Sequence, residues 1–121
     1  MSKILIIDDE KGICNEFRVL LEDDGHKVDM ANNGLEGIQM VHDHDYDVIF
    51  LDVLMPRMEG REVFEKIKQI KDIPIVIMSG FLPANKEKDI LALGAIACLR
   101  KPLDLKKVHS IIKDVESKLA G

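Results

Sequence analysis

The stretch Asp47–Asp52 places the strongest constraint on the fold of this chain. Four apolar residues, Val48 to Leu51, lie between two aspartates, and three of the four are β-branched or aromatic. Such a run predicts a strand buried on both faces, as in a parallel sheet covered by helices on both sides. The run stops at Asp52, and a loop containing Pro56 follows. The carboxyl ends of central parallel strands are where open α/β sheets bind their ligands.

Four further segments predict strands, and amphipathic helices lie between them. These strands are predicted over residues 4–7, 27–30, 74–78 and 97–99. Asn32 or Asn33 and Asp104 are suited to cap helices, whereas Gly25 and Gly94 are suited to end them. The predicted core-facing helical positions are Ile13, Phe17, Leu20, Leu21, Leu35, Ile38, Met40, Val41, Val63, Phe64, Ile67, Ile70, Ile90, Leu91, Leu93, Leu105, Val108, Ile111, Ile112 and Val115. Five strand–helix units predict an α/β, flavodoxin-like doubly wound fold, with a five-stranded parallel sheet of order 2-1-3-4-5.

Length and composition limit the class of protein. With 121 residues, of which 46% are apolar, we expect one domain over residues 1–121. A net charge of −5 argues against direct nucleic-acid binding by this chain. No apolar run approaches the ~18 residues that span a bilayer, and Met1 to Lys3 leads straight into a strand, so we expect a cytoplasmic protein without a membrane partner. Cys14 and Cys98 show no metal-type spacing and are expected to be free thiols.

Polar residues follow four of the predicted strands. Asp8 and Asp9 follow the first strand, Asp52 ends the third, Ser79 follows the fourth and Lys101 follows the fifth. Three neighbouring carboxylates repel each other by up to a few kcal/mol per pair at an effective dielectric constant near 20. A divalent cation relieves this repulsion, and hard oxygen ligands favour Mg²⁺ or Mn²⁺. Together with an ammonium and a hydroxyl group, the set suits phosphoryl transfer onto an aspartate.

A second candidate metal site is the tract His42-Asp43-His44-Asp45. It ends the second predicted helix, where residues two apart point in different directions. We therefore interpret it as a solvated helix end.

Taken together, these residues are typical of one family. The chain resembles the receiver domain of two-component response regulators, the CheY-like family, over essentially its whole length. The residues that carry the resemblance are Asp8-Asp9, Asp52, Met55-Pro56, Gly60, Ser79-Gly80, Gly94-Ala95 and Lys101-Pro102.

The resemblance implies a role for each acidic residue at the strand ends. Asp52 is expected to accept a phosphoryl group from the phosphohistidine of a sensor histidine kinase or phosphotransfer protein. Asp9, Asp52 and the backbone carbonyl of Leu54 are expected to bind Mg²⁺ directly, and Asp8 through a water molecule.

The resemblance also implies how the domain switches. Lys101 is expected to pair with the phosphoryl group, and its peptide bond to Pro102 is expected to be cis. Ser79 is the expected switch hydroxyl. The family usually has Tyr or Phe where this chain has Cys98, so we expect the signal to pass mainly through Ser79 and residues 80–86. It should then reach the surface of the fourth helix, fifth strand and fifth helix.

Partners follow from the same resemblance. Kinase helices are expected to dock near Gly12, Ile13, Glu16, Pro56 and Leu103, and the switched surface should control a downstream protein or output domain. Ile96 and Ala97 are apolar where acidic residues are common, which predicts an apolar edge for a partner. A phosphorylation-dependent dimer fits the same family.

The chain is expected to catalyse only its own phosphorylation and a slow autodephosphorylation. Leu54 and Phe81 flank the expected path of the hydrolytic water, and neither side chain can orient it by a hydrogen bond.

Three rival functions are open at this point. A binding module with the same fold and no use of phosphate would not need the complete set of site residues. An aspartate-nucleophile phosphatase would resemble a pattern with a second aspartate two residues after the nucleophile, where this chain has Leu54. A dinucleotide-binding fold would need a glycine-rich turn, which the segment from Asp8 to Gly12 lacks.

Overall fold

The structure is a computed structural model that describes residues 2–53, 60–80 and 84–120. Within these ranges, the side chains of Lys11, Ile13, Ala84, Leu119 and Ala120 are not described. Several predicted features therefore lie outside the described residues: Leu54 and its carbonyl, Met55, Pro56, Phe81 and the side chain of Ile13. The expectations attached to them stay predictions.

Strands and helices alternate along the whole chain. The elements are β1 (Lys3–Ile7), α1 (Lys11–Asp23), β2 (Lys27–Ala31), α2 (Gly34–Asp43), β3 (Val48–Asp52), α3 (Gly60–Ile70), β4 (Ile75–Ser79), α4 (Ala84–Ala92), β5 (Ala97–Arg100) and α5 (Leu105–Ala120). The five strands form one sheet of order β2-β1-β3-β4-β5, and every pairing is parallel. The predicted flavodoxin-like α/β fold is confirmed.

Alternation along the central strands divides the core into two layers. In β3, Ile49 and Leu51 join the cluster that packs against α2 and α3, whereas Val48 and Phe50 join the cluster that packs against α1 and α5. Every residue of β3 and β4 is buried. Because both faces of these strands are covered, their sequences are continuous apolar runs rather than alternating ones.

The predicted helix ends are also present. The Asn33 side chain accepts a hydrogen bond from the backbone N–H of Glu36 at 2.8 Å and so caps α2. Gly25 and Gly94 have φ angles of 91° and 115°, a backbone region that costs other L-residues energy. In the described part of the chain, every helix is too short or too polar to cross a bilayer.

Some predicted core positions are wrong. The predicted core positions that are exposed, Leu35 by 70%, are Leu20, Leu35, Ile70, Leu91, Leu93 and Leu105. In α1 the buried stripe consists of Cys14, Phe17 and Leu21, which are spaced three and four residues apart. Leu20 points away from that stripe, although it lies three residues from Phe17.

Candidate functional site

Four neighbouring strands deliver polar residues to one edge of the sheet. The order β1-β3-β4-β5 places Asp8, Asp52, Ser79 and Lys101 next to one another at the carboxyl ends of their strands. Asp8 continues the strand-like backbone of β1, because its N–H donates to the carbonyl of Ala31 at 3.0 Å. Asp8 and Asp52 are each only 2% exposed, and Ser79 is completely buried. Buried charges need compensating partners.

Lys101 provides that compensation. Its Nζ donates to Asp8 Oδ2 at 2.6 Å and to Asp52 Oδ2 at 3.0 Å, and lies 3.8 Å from Glu10 Oε1. Burial by itself lowers the pKa of Lys101, but the hydrogen bonds to Asp8 and Asp52 outweigh it, so the pKa of this ammonium is raised above its usual range. Lys101 is therefore charged at any physiological pH and holds the two carboxylates together.

Three carboxylates are close enough to share a cation. One oxygen from each of Asp8, Glu10 and Asp52 lies within 4.8 Å of the others. An all-carboxylate donor set fits a hard divalent cation such as Mg²⁺ or Mn²⁺. Of the predicted ligands, Asp8 and Asp52 are thus brought together. Asp9 is exposed and belongs to no such group in the described part of the chain.

Glu10 is the residue that sequence reasoning missed, although a signal for it was present. Ile4 and Ile6 of β1 face the α1/α5 layer, and Asp8, two residues after Ile6, is buried at the end of the same strand. The Glu10 backbone N–H donates to Asp8 Oδ1 at 2.9 Å, which fixes this turn at the start of α1. Asp9 and Glu10 are both exposed. The signal was its place in the acidic run Asp8-Asp9-Glu10, directly after the strand.

The alternation of side chains along the strands also decides which face of the sheet the other polar residues of the site continue. Val48 and Phe50 lead to Asp52, and Leu99 leads to Lys101, all on the α1/α5 side. Ser79 instead continues the row of Ile75 and Ile77, which faces the opposite layer. Its backbone carbonyl accepts a hydrogen bond from the N–H of Lys101 at 2.8 Å. The end of β4 is therefore coupled directly to the lysine.

The two cysteines are free, as expected. Burial, followed by the nearby charge of Asp8, raises the pKa of Cys14 to about 12. Burial, followed by the charge of Glu87, raises the pKa of Cys98 to about 11. Both groups are therefore thiols rather than reactive thiolates at neutral pH.

The carboxylates of the tract from His42 to Asp45 have ordinary surface partners. The Gln39 side chain and then His42 bind Asp43 and lower its pKa. Lys71 contacts Asp45 at 2.9 Å and lowers the pKa of that carboxylate. These contacts support the interpretation of the tract as a solvated helix end.

Comparison with known proteins places this arrangement in a family. The model of the response regulator receiver domain matches residues 4–113. The chain belongs to the response regulator receiver domain family. A two-component response regulator from Clostridium difficile is 30% identical, with a TM-score of 0.94 and full coverage of both chains. The response regulator TrrA from Thermotoga maritima, crystallised with Mg²⁺ and BeF, is 28% identical, with a TM-score of 0.83 over 95% of this chain and 99% of that one.

Longer relatives contain the receiver domain as one part. A CpxR homologue of Haemophilus influenzae is 33% identical over 95% of this chain, and the chain spans 50% of its length. ZraR of Klebsiella oxytoca is 32% identical over 92% of this chain and 25% of its own length. The Lys101–Pro102 peptide bond of the receiver domain is cis, as the resemblance implied.

Proposed function

We propose that this receiver domain is a phosphorylation-activated signalling switch, in which Asp52 accepts a phosphoryl group in a Mg²⁺-dependent reaction. The observation that carries the proposal is the position of Lys101 Nζ, 2.6 Å from Asp8 and 3.0 Å from Asp52 beside a third carboxylate, Glu10. A buried nucleophile, an acidic pocket and a fixed ammonium are the parts that phosphoryl transfer needs.

Each described side chain has a definite task in this mechanism. Asp52 Oδ attacks the phosphorus of a phosphohistidine, so that the new O–P bond forms while the N–P bond breaks and its electron pair stays on the imidazole. Asp8, Asp9 and Asp52 with the Leu54 carbonyl form the Mg²⁺ site that the family implies, and the geometry adds Glu10. When bound, Mg²⁺ offsets negative charge on the phosphoryl oxygens. Lys101 keeps its charge beside the acceptor and is placed to bind a phosphoryl oxygen.

Receiver domains work with histidine kinases, and we propose such a kinase or a phosphotransfer protein as the donor. We further propose that residues 1–121 act as one receiver domain in the cytoplasm. The free thiols of Cys14 and Cys98 support a reducing compartment. We propose that the phosphorylated domain controls a downstream protein or output domain, either as a monomer or as a phosphorylation-dependent dimer.

Asp52→Asn is expected to abolish phosphorylation. Incubation of the parent with acetyl phosphate and Mg²⁺ should add one phosphoryl group by intact-mass measurement, and EDTA should prevent the addition. The amide of the variant keeps the shape of the side chain but removes the nucleophile. Asp47→Asn, at the opposite end of β3, serves as the matched control and should react like the parent. Equal modification of Asp52→Asn would disprove the acceptor assignment.

Phosphorylation is expected to alter the surface formed by α4, β5 and α5. The hydrogen bond from the backbone N–H of Lys101 to the backbone carbonyl of Ser79 supports a direct path from the pocket to β5. Leu91 and Ile96 of this surface are 40% and 44% exposed and could receive a partner. Amide NMR signals of α4, β5 and α5 should shift more than those of α2 when a phosphoryl mimic and Mg²⁺ are added. Shifts confined to the neighbours of Asp52 would contradict the proposal.

A further inference from the structure

We propose that His26 makes the attachment of α5 to the sheet sensitive to pH, because its neutral ring accepts a hydrogen bond that its protonated ring cannot accept. The inference concerns the edge of the sheet opposite the acidic pocket and does not depend on phosphoryl transfer. At that edge the residue before β1, Ser2, contacts both the start of β2 and the second half of α5.

Ser2 is a buried residue whose polar groups all have partners. It is 3% exposed. Its N–H donates to Nδ1 of His26 at 3.0 Å, and its carbonyl accepts from the N–H of Lys27 at 3.0 Å. Its hydroxyl donates to Oε2 of Glu116 at 2.9 Å. These four residues, which we call the Ser2 junction, join the chain before β1 to β2 on one side and to α5 on the other.

The hydrogen bond from Ser2 determines which form of the His26 ring fits the junction. Nδ1 can accept only while it carries no proton, so the fitting form is a neutral ring with its proton on Nε2. A proton on Nδ1 would set two N–H groups against each other, and the N–H of buried Ser2 would lose its partner. The ring is only partly buried, so protons from solvent can reach it. Histidine is also the side chain that changes its charge in the physiological pH range.

Glu116 offers a protonated His26 ring another partner. The two side chains both bind Ser2 and are close enough for their charges to interact. The amino group of the chain, followed by the hydroxyl of Ser2, lowers the pKa of Glu116. Glu116 therefore remains a carboxylate while His26 titrates, and it attracts the imidazolium. We expect protonation to move the ring from the N–H of Ser2 towards Glu116, in competition with the hydroxyl of Ser2.

Other charged groups near the Ser2 junction affect the same titration. Lys27 follows His26 directly and is exposed, and its positive charge opposes a second one on the ring. Lys3 places its ammonium 5.3 Å from the centre of the Tyr46 ring. Asp24, after the end of α1, pairs with His109 of α5 at 3.1 Å, and protonation of His109 strengthens this pair. Acid should therefore weaken the link of α5 through Ser2 and keep its link through Asp24.

His26→Asn and His109→Asn form a matched pair of variants. Each removes one titrating ring near α5, and the amide oxygen of asparagine can take the place of Nδ1 as an acceptor. Hydrogen exchange of the Ser2 amide is followed by NMR from about pH 7.5 to about pH 5.5 and corrected for the intrinsic pH dependence of exchange. We expect protection of this amide to fall about tenfold in the parent and in His109→Asn, and less than about twofold in His26→Asn.

The tautomer of His26 in the parent provides a test that needs no variant. Long-range proton–nitrogen correlation spectra at about pH 7.5 should show the proton on Nε2 and an unprotonated Nδ1. This tautomer, together with a loss of Ser2 protection that requires His26, supports the inference. A proton on Nδ1 at that pH overturns it, as does an equal fall of Ser2 protection in the parent and in His26→Asn.

Discussion

Lys101→Met is expected to lower the free energy of unfolding by about 3 kcal/mol in EDTA, and saturating Mg²⁺ should restore most of that loss. The variant leaves Asp8 and Asp52 without the ammonium that bridges them, although both carboxylates are only 2% exposed. Removing one partner of a buried ionic group costs about 3–5 kcal/mol, because the charge left behind remains desolvated. A cation that binds only the folded state adds stability in proportion to the logarithm of its concentration over its dissociation constant.

Urea unfolding at neutral pH, in EDTA and in millimolar Mg²⁺, measures both parts of this prediction. Lys107→Met is the control, since Lys107 is exposed in the first turn of α5, and its effect should stay within about 0.5 kcal/mol. The gain of stability on adding Mg²⁺ should be larger for Lys101→Met than for the parent. Equal gains in the two proteins would show that lysine and cation do not compensate the same charges.

Gly60→Ala is expected to destabilise the domain by about 2–3 kcal/mol. A Cβ on Gly60 would overlap the backbone Cα of Val53 and would lie 2.6 Å from the Cβ of that residue. Backbone atoms cannot rotate out of the way, so the start of α3 and the end of β3 would have to separate. Because Val53 follows Asp52 directly, the same shift should also slow phosphorylation of Asp52.

Two other glycines provide graded comparisons for this effect. A Cβ on Gly37 would meet the end of the Ile7 side chain at 2.5 Å, and this side chain can change rotamer. We expect Gly37→Ala to cost about 1 kcal/mol. A Cβ on Gly80 would meet nothing within 4 Å, so Gly80→Ala should be neutral or slightly stabilising. Urea unfolding of the three variants should follow that order, and equal stability of Gly60→Ala and Gly80→Ala would refute the steric argument.

Local patterns were enough to predict the elements and most of the pocket. Apolar runs ending in Asp8 and Asp52 predict buried parallel strands, because only strands covered on both faces remain apolar without interruption. Parallel strands deliver their carboxyl ends to one edge, which is why polar residues far apart in the chain could be grouped from sequence. The asparagine and glycine residues at helix ends were also predictable, because they cap or end a helix through backbone groups close to them in the sequence.

The tertiary structure alone decided which charges meet and which apolar residues are covered. Lys101 binds Asp8 across 93 residues and Asp52 across 49, and such contacts depend on which strands are neighbours and in which register they pair. Glu10 follows a bend at Asp9, and only the folded turn, in which its N–H donates to Asp8 Oδ1, places one of its carboxylate oxygens within 4.8 Å of oxygens of Asp8 and Asp52. Leu35 fits a helical pattern and is nevertheless exposed, since burial requires a neighbouring surface that periodicity along one helix cannot supply.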